Sequence, residues 1–480
     1  IPPYQRSARK PLDTNDAQVR TMLSPDQREA VARVLEWYRR PGGHSTFALA
    51  GAAGTGKTTV TGLIINELKL MPDQVMLVAP TGKAVMAMRE RLPKGWKSRT
   101  KTLASFLWSF KLSDYSGEDA VFVKSGQKAV EARVTLVIVD EASMVTKGDL
   151  EALRRYPRVL FTGDPHQLPP VVEEGSDDEM AQGAGVLEQP DALLVRVHRQ
   201  GEDSSILQAA EAVRAMRQPS FGHTDDGRVI HLSETEQHFG PRQVREILEA
   251  ADVILTQRNS LRVLLNEYLR RARGFMTNPI DFEPKPGEWL VASENYMNPE
   301  TRVRLANGER LLVKAFVGRR QLRSDDGYQH VEEYVVKGHP EGRPLDTCDW
   351  VISSQMLAGE QIRGTVLQTR HITGPRSSVL RADWGYALTV HKAQGSEWPH
   401  VVFVDDLNPD SRTPLEKLYY VAYTRASERL VILKSLLPEL AEQPGFVDAF
   451  LDEARHDEVV APRDRLEGVA IEAFVEGEDP

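Results

Sequence analysis

The residues Gly51-Ala52-Ala53-Gly54-Thr55-Gly56-Lys57-Thr58 follow the apolar run Phe47-Ala48-Leu49-Ala50 and precede a helix-forming stretch over 58–70. This is the spacing G-x-x-x-x-G-K-[ST] in the strand, loop, helix context that a phosphate-binding loop requires. It constrains the fold because a strand must deliver the loop to a sheet edge while the next helix aims its positive end at the same anion. Such units repeat as parallel sheets with right-handed crossovers. The glycines let successive backbone N–H groups converge on a triphosphate, Lys57 reaches the β/γ-phosphates, and the Thr58 hydroxyl can ligate Mg²⁺. Gly51, Ala52, Ala53, Gly54, Thr55, Gly56, Lys57, Thr58 and Thr59 are the candidate nucleotide-binding residues.

Downstream, Leu136-Val137-Ile138-Val139-Asp140-Glu141 is a β-branched run ending in two carboxylates, which reads as a buried parallel strand delivering them to the same sheet edge. Asp140 is the candidate metal ligand with Thr58, and Glu141 the group that polarises an attacking water. An acidic pair after a strand can also be a plain helix N-cap, and only the loop upstream tips the reading. A further apolar strand, 160–162, runs into Gly163-Asp164-Pro165-His166-Gln167-Leu168-Pro169-Pro170, where Gln167 has the length to sense a γ-phosphate. Arg199, in Val197-His198-Arg199-Gln200, supplies a cation soon after.

The chain has 480 residues, 41% of them apolar, enough to bury several cores, and the length suggests about three domains. A formal charge of −9 argues against coating nucleic acid by bulk electrostatics, but leaves room for a basic groove in an acidic shell. The single cysteine, Cys348, excludes an intramolecular disulfide and disfavours a zinc or iron–sulfur site, which fits a reducing cytoplasm. No apolar run approaches membrane-spanning length, and Ile1-Pro2-Pro3-Tyr4 has no signal-peptide pattern. With isoleucine in place of an initiator methionine, the chain is expected to begin inside a longer precursor.

The motif positions predict an α/β chain. Residues 1–22 form a polar arm and 23–198 a first parallel-sheet domain, with a β-hairpin insertion over 107–135. Residues 199–287 and 383–452 make a second such domain, interrupted by β-rich residues 288–382 that read as a small β-barrel, and 453–480 form an acidic tail. Turn signals such as Asn307-Gly308 and Asp326-Gly327 punctuate the β-rich part. The acidic stretch 173–179 reads as a solvated loop.

Two late segments complete an ordered series: Tyr386-Ala387-Leu388-Thr389-Val390-His391-Lys392-Ala393-Gln394-Gly395-Ser396-Glu397-Trp398 and Tyr420-Val421-Ala422-Tyr423-Thr424-Arg425-Ala426. With these in place the chain resembles superfamily 1 DNA helicases of the RecD/Dda type, with nearly all of that family's motifs in order from Leu23 to about Leu433. The resemblance implies two RecA-like motor domains, ATP and Mg²⁺ in the cleft between them, and an SH3-like barrel as the β-rich insertion. It implies that Gln27, in Leu23-Ser24-Pro25-Asp26-Gln27, reads adenine through a paired donor and acceptor. Arg199 and Arg425 would reach the γ-phosphate, Arg425 as an arginine finger. Glu397 would lie near the ribose, and Gln394 and Gly395 would couple nucleotide to DNA. Pro80, Thr81, Gly82 and Lys83 on the first domain, and Thr389, His391 and Lys392 on the second, would hold single-strand phosphates, positioning the strand without reading it. Thr102 and Ser105 fall where relatives carry T-x-H, with Ala104 replacing the histidine. Phe106, Trp108 and Phe110 alternate as along a strand, as either a base-stacking face or the covered face of a hairpin, with packing favoured.

The function expected on this resemblance is an ATP-dependent DNA helicase acting on single-stranded DNA and forked or tailed duplexes as a monomer, moving 5′ to 3′ by analogy of its insertions. The alternatives are a translocase that strips proteins with little unwinding, and an ATP-gated DNA-binding switch. A relaxase is disfavoured because the histidines show no H-x-H metal cluster.

Overall fold

The computed structural model describes residues 23–42, 45–92, 94–111, 121–124, 133–170, 179–196, 204–215, 217, 222–233, 241–276, 278, 281–323, 330–358, 379–406 and 413–434. The expected arm, most of the acidic loop, Arg199, the Asp326-Gly327 turn and the acidic tail lie outside these residues. The chain divides into two compact units, Ile1–Ser204 and Ser205–Pro480.

The first unit opens with α1 (Pro25–Arg39), started by Ser24 and Gln27 in a reciprocal capping box with proline at the first helical position. There follow β1 (Ser45–Gly51), α2 (Lys57–Glu67), β2 (Val75–Ala79), α3 (Gly82–Arg91), β3 (Thr100–Thr102), α4 (Leu103–Leu107), β4 (Trp108–Lys111), β5 (Val121–Lys124), β6 (Leu136–Val139), α5 (Lys147–Leu153), β7 (Arg158–Gly163) and β8 (Ala192–Leu194). Six strands form one sheet in the order β3-β2-β6-β7-β1-β8, and every pairing in it is parallel. Because successive strand residues face opposite sides, each strand feeds two cores. Leu49, Leu77, Ile138 and Leu160 pack with Val34, Val60 and Ile64 on one face. Ala50, Val78, Val139 and Phe161 pack with Phe106, Leu153 and Tyr156 on the other. Continuous apolar strands are what burial on both faces demands.

Two local expectations change. The first helix after the loop stops at Glu67, because Lys69 takes a left-handed backbone with φ of 53°. Phe106 does not share a strand with Trp108. It lies in α4, fully buried and stacked on Tyr156 with ring centroids 4.9 Å apart, because the Thr102 hydroxyl accepts the Ser105 N–H at 3.2 Å and starts a helical turn there. β4 and β5 pair antiparallel, Trp108 opposite Lys124.

The second unit runs α6 (Ser205–Arg214), β9 (Gly222–His223), β10 (Val229–Ser233), α7 (Pro241–Ala250), β11 (Val253–Thr256) and α8 (Asn259–Ala272). It continues with β12 (Trp289–Ala292), β13 (Tyr296–Met297), β14 (Arg304–Leu305), β15 (Arg310–Arg323), β16 (His330–Pro340), β17 (Cys348–Ser353), α9 (Ser354–Leu357) and β18 (Ala382–Trp384). It closes with β19 (Ala387–Thr389), α10 (Val390–Ala393), β20 (Trp398–Val404), α11 (Leu415–Tyr423) and β21 (Ala426–Lys434). The main sheet is ordered β19-β11-β20-β21-β10-β9 and is parallel except for the edge strand β9. A second sheet, β17-β16-β15-β12-β18, is antiparallel throughout and has its own core around Trp350, Leu311 and Leu290.

Where α8 hands over to that antiparallel sheet, Arg270 donates from Nε to Glu288 Oε1 at 2.7 Å, with both side chains at most 1% exposed. The Arg270 guanidinium also lies 3.5 Å from the ring centroid of Trp384, the last residue of β18. Removing one partner of such a buried pair costs about 3–5 kcal/mol, since the other charge is left uncompensated.

Candidate functional site

In the first sheet the loops after β2, β6, β7 and β1 leave from the carboxyl ends of neighbouring parallel strands. This is the edge where open α/β sheets bind ligands. The phosphate loop follows β1, Pro80-Thr81-Gly82-Lys83 follows β2, Asp140-Glu141 follows β6 and Asp164 to Gln167 follow β7.

The loop is held in shape by its own residues and by Gln27 beside it. Gly54 and Gly56 adopt φ of 85° and 82°, in the left-handed region that a side chain disfavours. Thr55 is fully buried and its hydroxyl donates to Ala52 O at 2.9 Å. The Lys57 ammonium donates to Gly51 O at 2.7 Å and Ala52 O at 3.0 Å, so the cation is folded over the loop carbonyls. Gln27 lies beside the loop with only 5% exposure. Its Nε2 donates to Thr55 O at 2.9 Å and its Oε1 accepts the Ser24 N–H at 3.1 Å.

Asp140 accepts the Thr162 hydroxyl at 2.9 Å and the Glu141 N–H at 3.0 Å, both on Oδ1. That leaves Oδ2 as a hard oxygen donor of the kind magnesium takes. Among the described residues no group of three or more His, Cys, Asp or Glu side chains could hold a metal ion. A threonine hydroxyl and a carboxylate oxygen, as at Thr58 and Asp140, are of the donor class magnesium takes, an ion that uses few protein ligands supplemented by phosphate oxygens and water. Glu141 has a φ of 54°, unusual for a residue with a side chain, and strain of this sort gathers at functional sites. Gly163 permits the fold there: a Cβ on it would come within 2.9 Å of Ala142 N. Gln167 is buried beside the fully buried Asp164, whose carboxylate accepts the His166 N–H at 3.0 Å.

Thr81 caps α3 by accepting the Ala84 N–H at 3.2 Å, and Lys83 is buried at the start of that helix. Thr102 and Ser105 bond to each other, hydroxyl to hydroxyl at 2.9 Å. In the second unit Thr389 closes β19 and caps α10, accepting the Lys392 N–H at 3.4 Å. Burial lowers the pKa of His391, and burial together with the nearby Arg262 lowers that of Lys392. Gln394 is buried, Gly395 has φ of 77°, and Glu397 follows before β20.

Arg425 is not carried by a helix. α11 ends at Tyr423, and the arginine caps it, with Nε donating to Val421 O at 2.9 Å, Nη1 to Ser396 O at 2.9 Å and Nη2 to the Thr424 hydroxyl at 2.8 Å. These bonds join the two late motifs within one unit.

Several contacts around these segments join residues that no single motif contains. Thr162 steers Asp140 from the neighbouring strand, and only the fold brings them together. Buried Asp406 bonds the Thr256 hydroxyl and accepts the N–H groups of Gln257 at 2.6 Å and Arg258 at 2.8 Å, shaping the loop after β11. Arg262 pairs with Asp383 at 2.7 Å, linking α8 to β18. The sequence itself sets Asp26 beside Gln27 inside the capping box. Its carboxylate accepts the Ser24 hydroxyl and the N–H groups of Val195 at 2.8 Å and Arg196 at 3.1 Å.

Residues 22–235 match the AAA domain family model, and residues 385–433 match that of the UvrD-like helicase C-terminal domain. The chain is similar to the ATP-dependent RecD2 DNA helicase of Deinococcus radiodurans, 28% identical over 408 residues, covering 81% of this chain and 46% of that protein. It is 26% identical over 422 residues to the RecBCD enzyme subunit RecD of Mycolicibacterium smegmatis, covering 80% of this chain and 67% of the other. The chain thus spans less than half of the Deinococcus protein. Among solved structures, Pif1 helicase from Candida albicans aligns over 90% of this chain and 99% of its own, with 18% identity and a TM-score of 0.46.

Proposed function

We propose that this chain, which matches the AAA domain model over residues 22–235 and the UvrD-like helicase C-terminal domain model over 385–433 and is similar to RecD2 and RecD proteins, is a RecD-like superfamily 1 ATP-dependent DNA helicase that translocates on single-stranded DNA and unwinds duplexes. The observation that carries this reading is the shared edge of the first sheet, where phosphate loop, acidic pair, Gln167 and the Thr81 segment leave adjacent parallel strands.

In this proposal the loop N–H groups and Lys57 bind the triphosphate, with Lys57 exchanging its own loop carbonyls for phosphate oxygens. Thr58 and Asp140 would hold magnesium, which when bound offsets charge on the β- and γ-phosphates. Glu141 takes a proton from the attacking water, and Gln167 orients toward the γ-phosphate. Arg199 and Arg425 supply cations to it. For Arg425 this requires release of its caps on Val421 O and Ser396 O, so its recruitment would be tied to movement of both late motifs. Gln394, Gly395 and Glu397 would report the nucleotide to the DNA residues. Single-strand phosphates would meet Pro80 to Lys83, Thr102 and Ser105 on one unit and Thr389, His391 and Lys392 on the other. The low pKa that burial gives His391 suits a neutral donor to phosphate. We read the antiparallel sheet as an SH3-like barrel, the two parallel units as RecA-like motors, and the β4–β5 pair as the stem of a strand-splitting pin.

The test is ATP hydrolysis with and without single-stranded DNA. The wild type should be strongly stimulated by DNA. Lys57→Ala should lose both binding and turnover, whereas Glu141→Gln should keep ATP binding and lose turnover. Arg425→Ala should retain binding and lose on the order of 10³-fold in rate. Wild-type turnover in Glu141→Gln would refute the assigned base, and ATP binding with negligible DNA-stimulated turnover would favour a nucleotide-gated switch.

A further inference from the structure

The phosphate loop is gripped from outside at two points, and one helical turn joins them. At its first residue, Gly51 pairs in register with Leu194 of β8, so closely that a Cβ on Gly51 would come within 2.9 Å of Leu194 Cβ. The two N–H groups just past Leu194, those of Val195 and Arg196, donate to Asp26 at 2.8 and 3.1 Å. The next residue, Gln27, donates at 2.9 Å to Thr55 O, the fifth residue of the loop. Its carboxamide also lies on Gly56, where a Cβ would come within 2.5 Å of Gln27 Nε2. A closed circuit results: Gly51, Leu194, Val195–Arg196, Asp26, Gln27, Thr55. The turn that closes it is locked by the Ser24 N–H donating to Gln27 Oε1 at 3.1 Å.

We propose that the first turn of α1, through Asp26 and Gln27, is a brace that fixes the phosphate loop, and that Gln27 is a positioning residue for phosphate binding whatever base the nucleotide carries. A carbonyl left without a donor in this buried setting would turn to find one, and the peptide at Thr55–Gly56 would turn with it. The peptide N–H groups that a triphosphate needs are on this loop, so the loss would fall on the phosphates. A contact confined to adenine would leave phosphate affinity alone. Each Gln27 nitrogen and oxygen has one further hydrogen or lone pair, so base recognition can be added to the brace without replacing it.

The inference rests on the nucleotide site proposed above, and a ligand without a base separates the two. Affinities of the full chain for ATP, GTP and inorganic tripolyphosphate, each with magnesium, would be measured by displacement of a fluorescent nucleotide. Wild type should bind all three, and Lys57→Ala should lose all three. If wild type binds none of them, the nucleotide-site reading fails and the brace with it. With binding established, Gln27→Ala should weaken tripolyphosphate about tenfold, for one buried hydrogen bond to the loop, and ATP by at least the same factor. Gln27→Glu keeps an oxygen for the Ser24 N–H and loses the donor to Thr55 O, so it should weaken tripolyphosphate as well. It serves as the judge should Gln27→Ala fail to fold, as thermal melting would reveal. Wild-type affinity for tripolyphosphate in either folded variant overturns the proposal, including the case in which ATP alone is weakened.

Discussion

Glu333 shows how a single buried side chain can set a pH response of stability. It sits on β16, 4% exposed, opposite Ser353, and accepts the Ser354 N–H at 2.9 Å. Burial pushes its carboxyl up from 4.5 to about 7, the Ser354 bond opposing only in part. With the folded value above the unfolded one, the folded state is favoured below pH 4.5 and that advantage disappears as pH rises through about 7. Glu333→Gln, which cannot ionise, should therefore melt higher than wild type at pH 8, by a margin on the order of 2–3 kcal/mol, and with little margin near pH 4.5. Equal margins at both pH values in calorimetry would show that ionisation is not the cause. Asp26 behaves in the opposite sense. Burial raises its pKa, but the Ser24 hydroxyl and the Val195 and Arg196 N–H groups outweigh it and bring the carboxyl from 3.8 down to about 2. Its grip is thus intact at neutral pH and is lost only as pH falls from about 4 through 2.

At the scale of elements, the β4–β5 pair tests whether a stem following the proposed DNA contacts Thr102 and Ser105 acts on the duplex. Deleting residues 115–119, at the expected tip, should impair strand displacement several-fold more than DNA-stimulated hydrolysis. Equal loss of both would mark the segment as structural. The parallel strands were legible because burial on both faces writes itself as unbroken apolar runs, as at Leu136 to Val139. Element ends were less so. The helix after the phosphate loop is ended by a left-handed lysine, Lys69, where glycine would have been the readable signal. Phe106 was misplaced because alternation with Trp108 and Phe110 outweighed a threonine–serine turn. Arg425 ends α11 through a bond to Val421 O that no residue pattern in its motif announces. At the site, residues within one motif could be named from spacing alone. Thr162, Asp406 and the Arg262–Asp383 pair could not, since each meets its partner only after the chain has folded.

For the whole molecule the property to test is direction. Phosphate loop, acidic pair and arginines do not fix it, so the proposal of 5′-to-3′ movement rests on the modest β insertions in place of large helical ones. Unwinding should accordingly require a 5′ single-stranded tail, and strong displacement on substrates carrying only a 3′ tail would reverse the assignment without touching the motor. The larger insertion shows how such variety can be carried. β12 and β18, where it begins and ends, are antiparallel neighbours with Leu290 opposite Trp384, and the Arg270 guanidinium fastens the Glu288 and Trp384 ends together. Antiparallel partners lie about 5 Å apart, so the chain leaves and returns at almost the same point. Topologically the antiparallel sheet is a blister on a pinched neck. It can lengthen, shrink or be exchanged for another cassette while the parallel strands on either side keep their register.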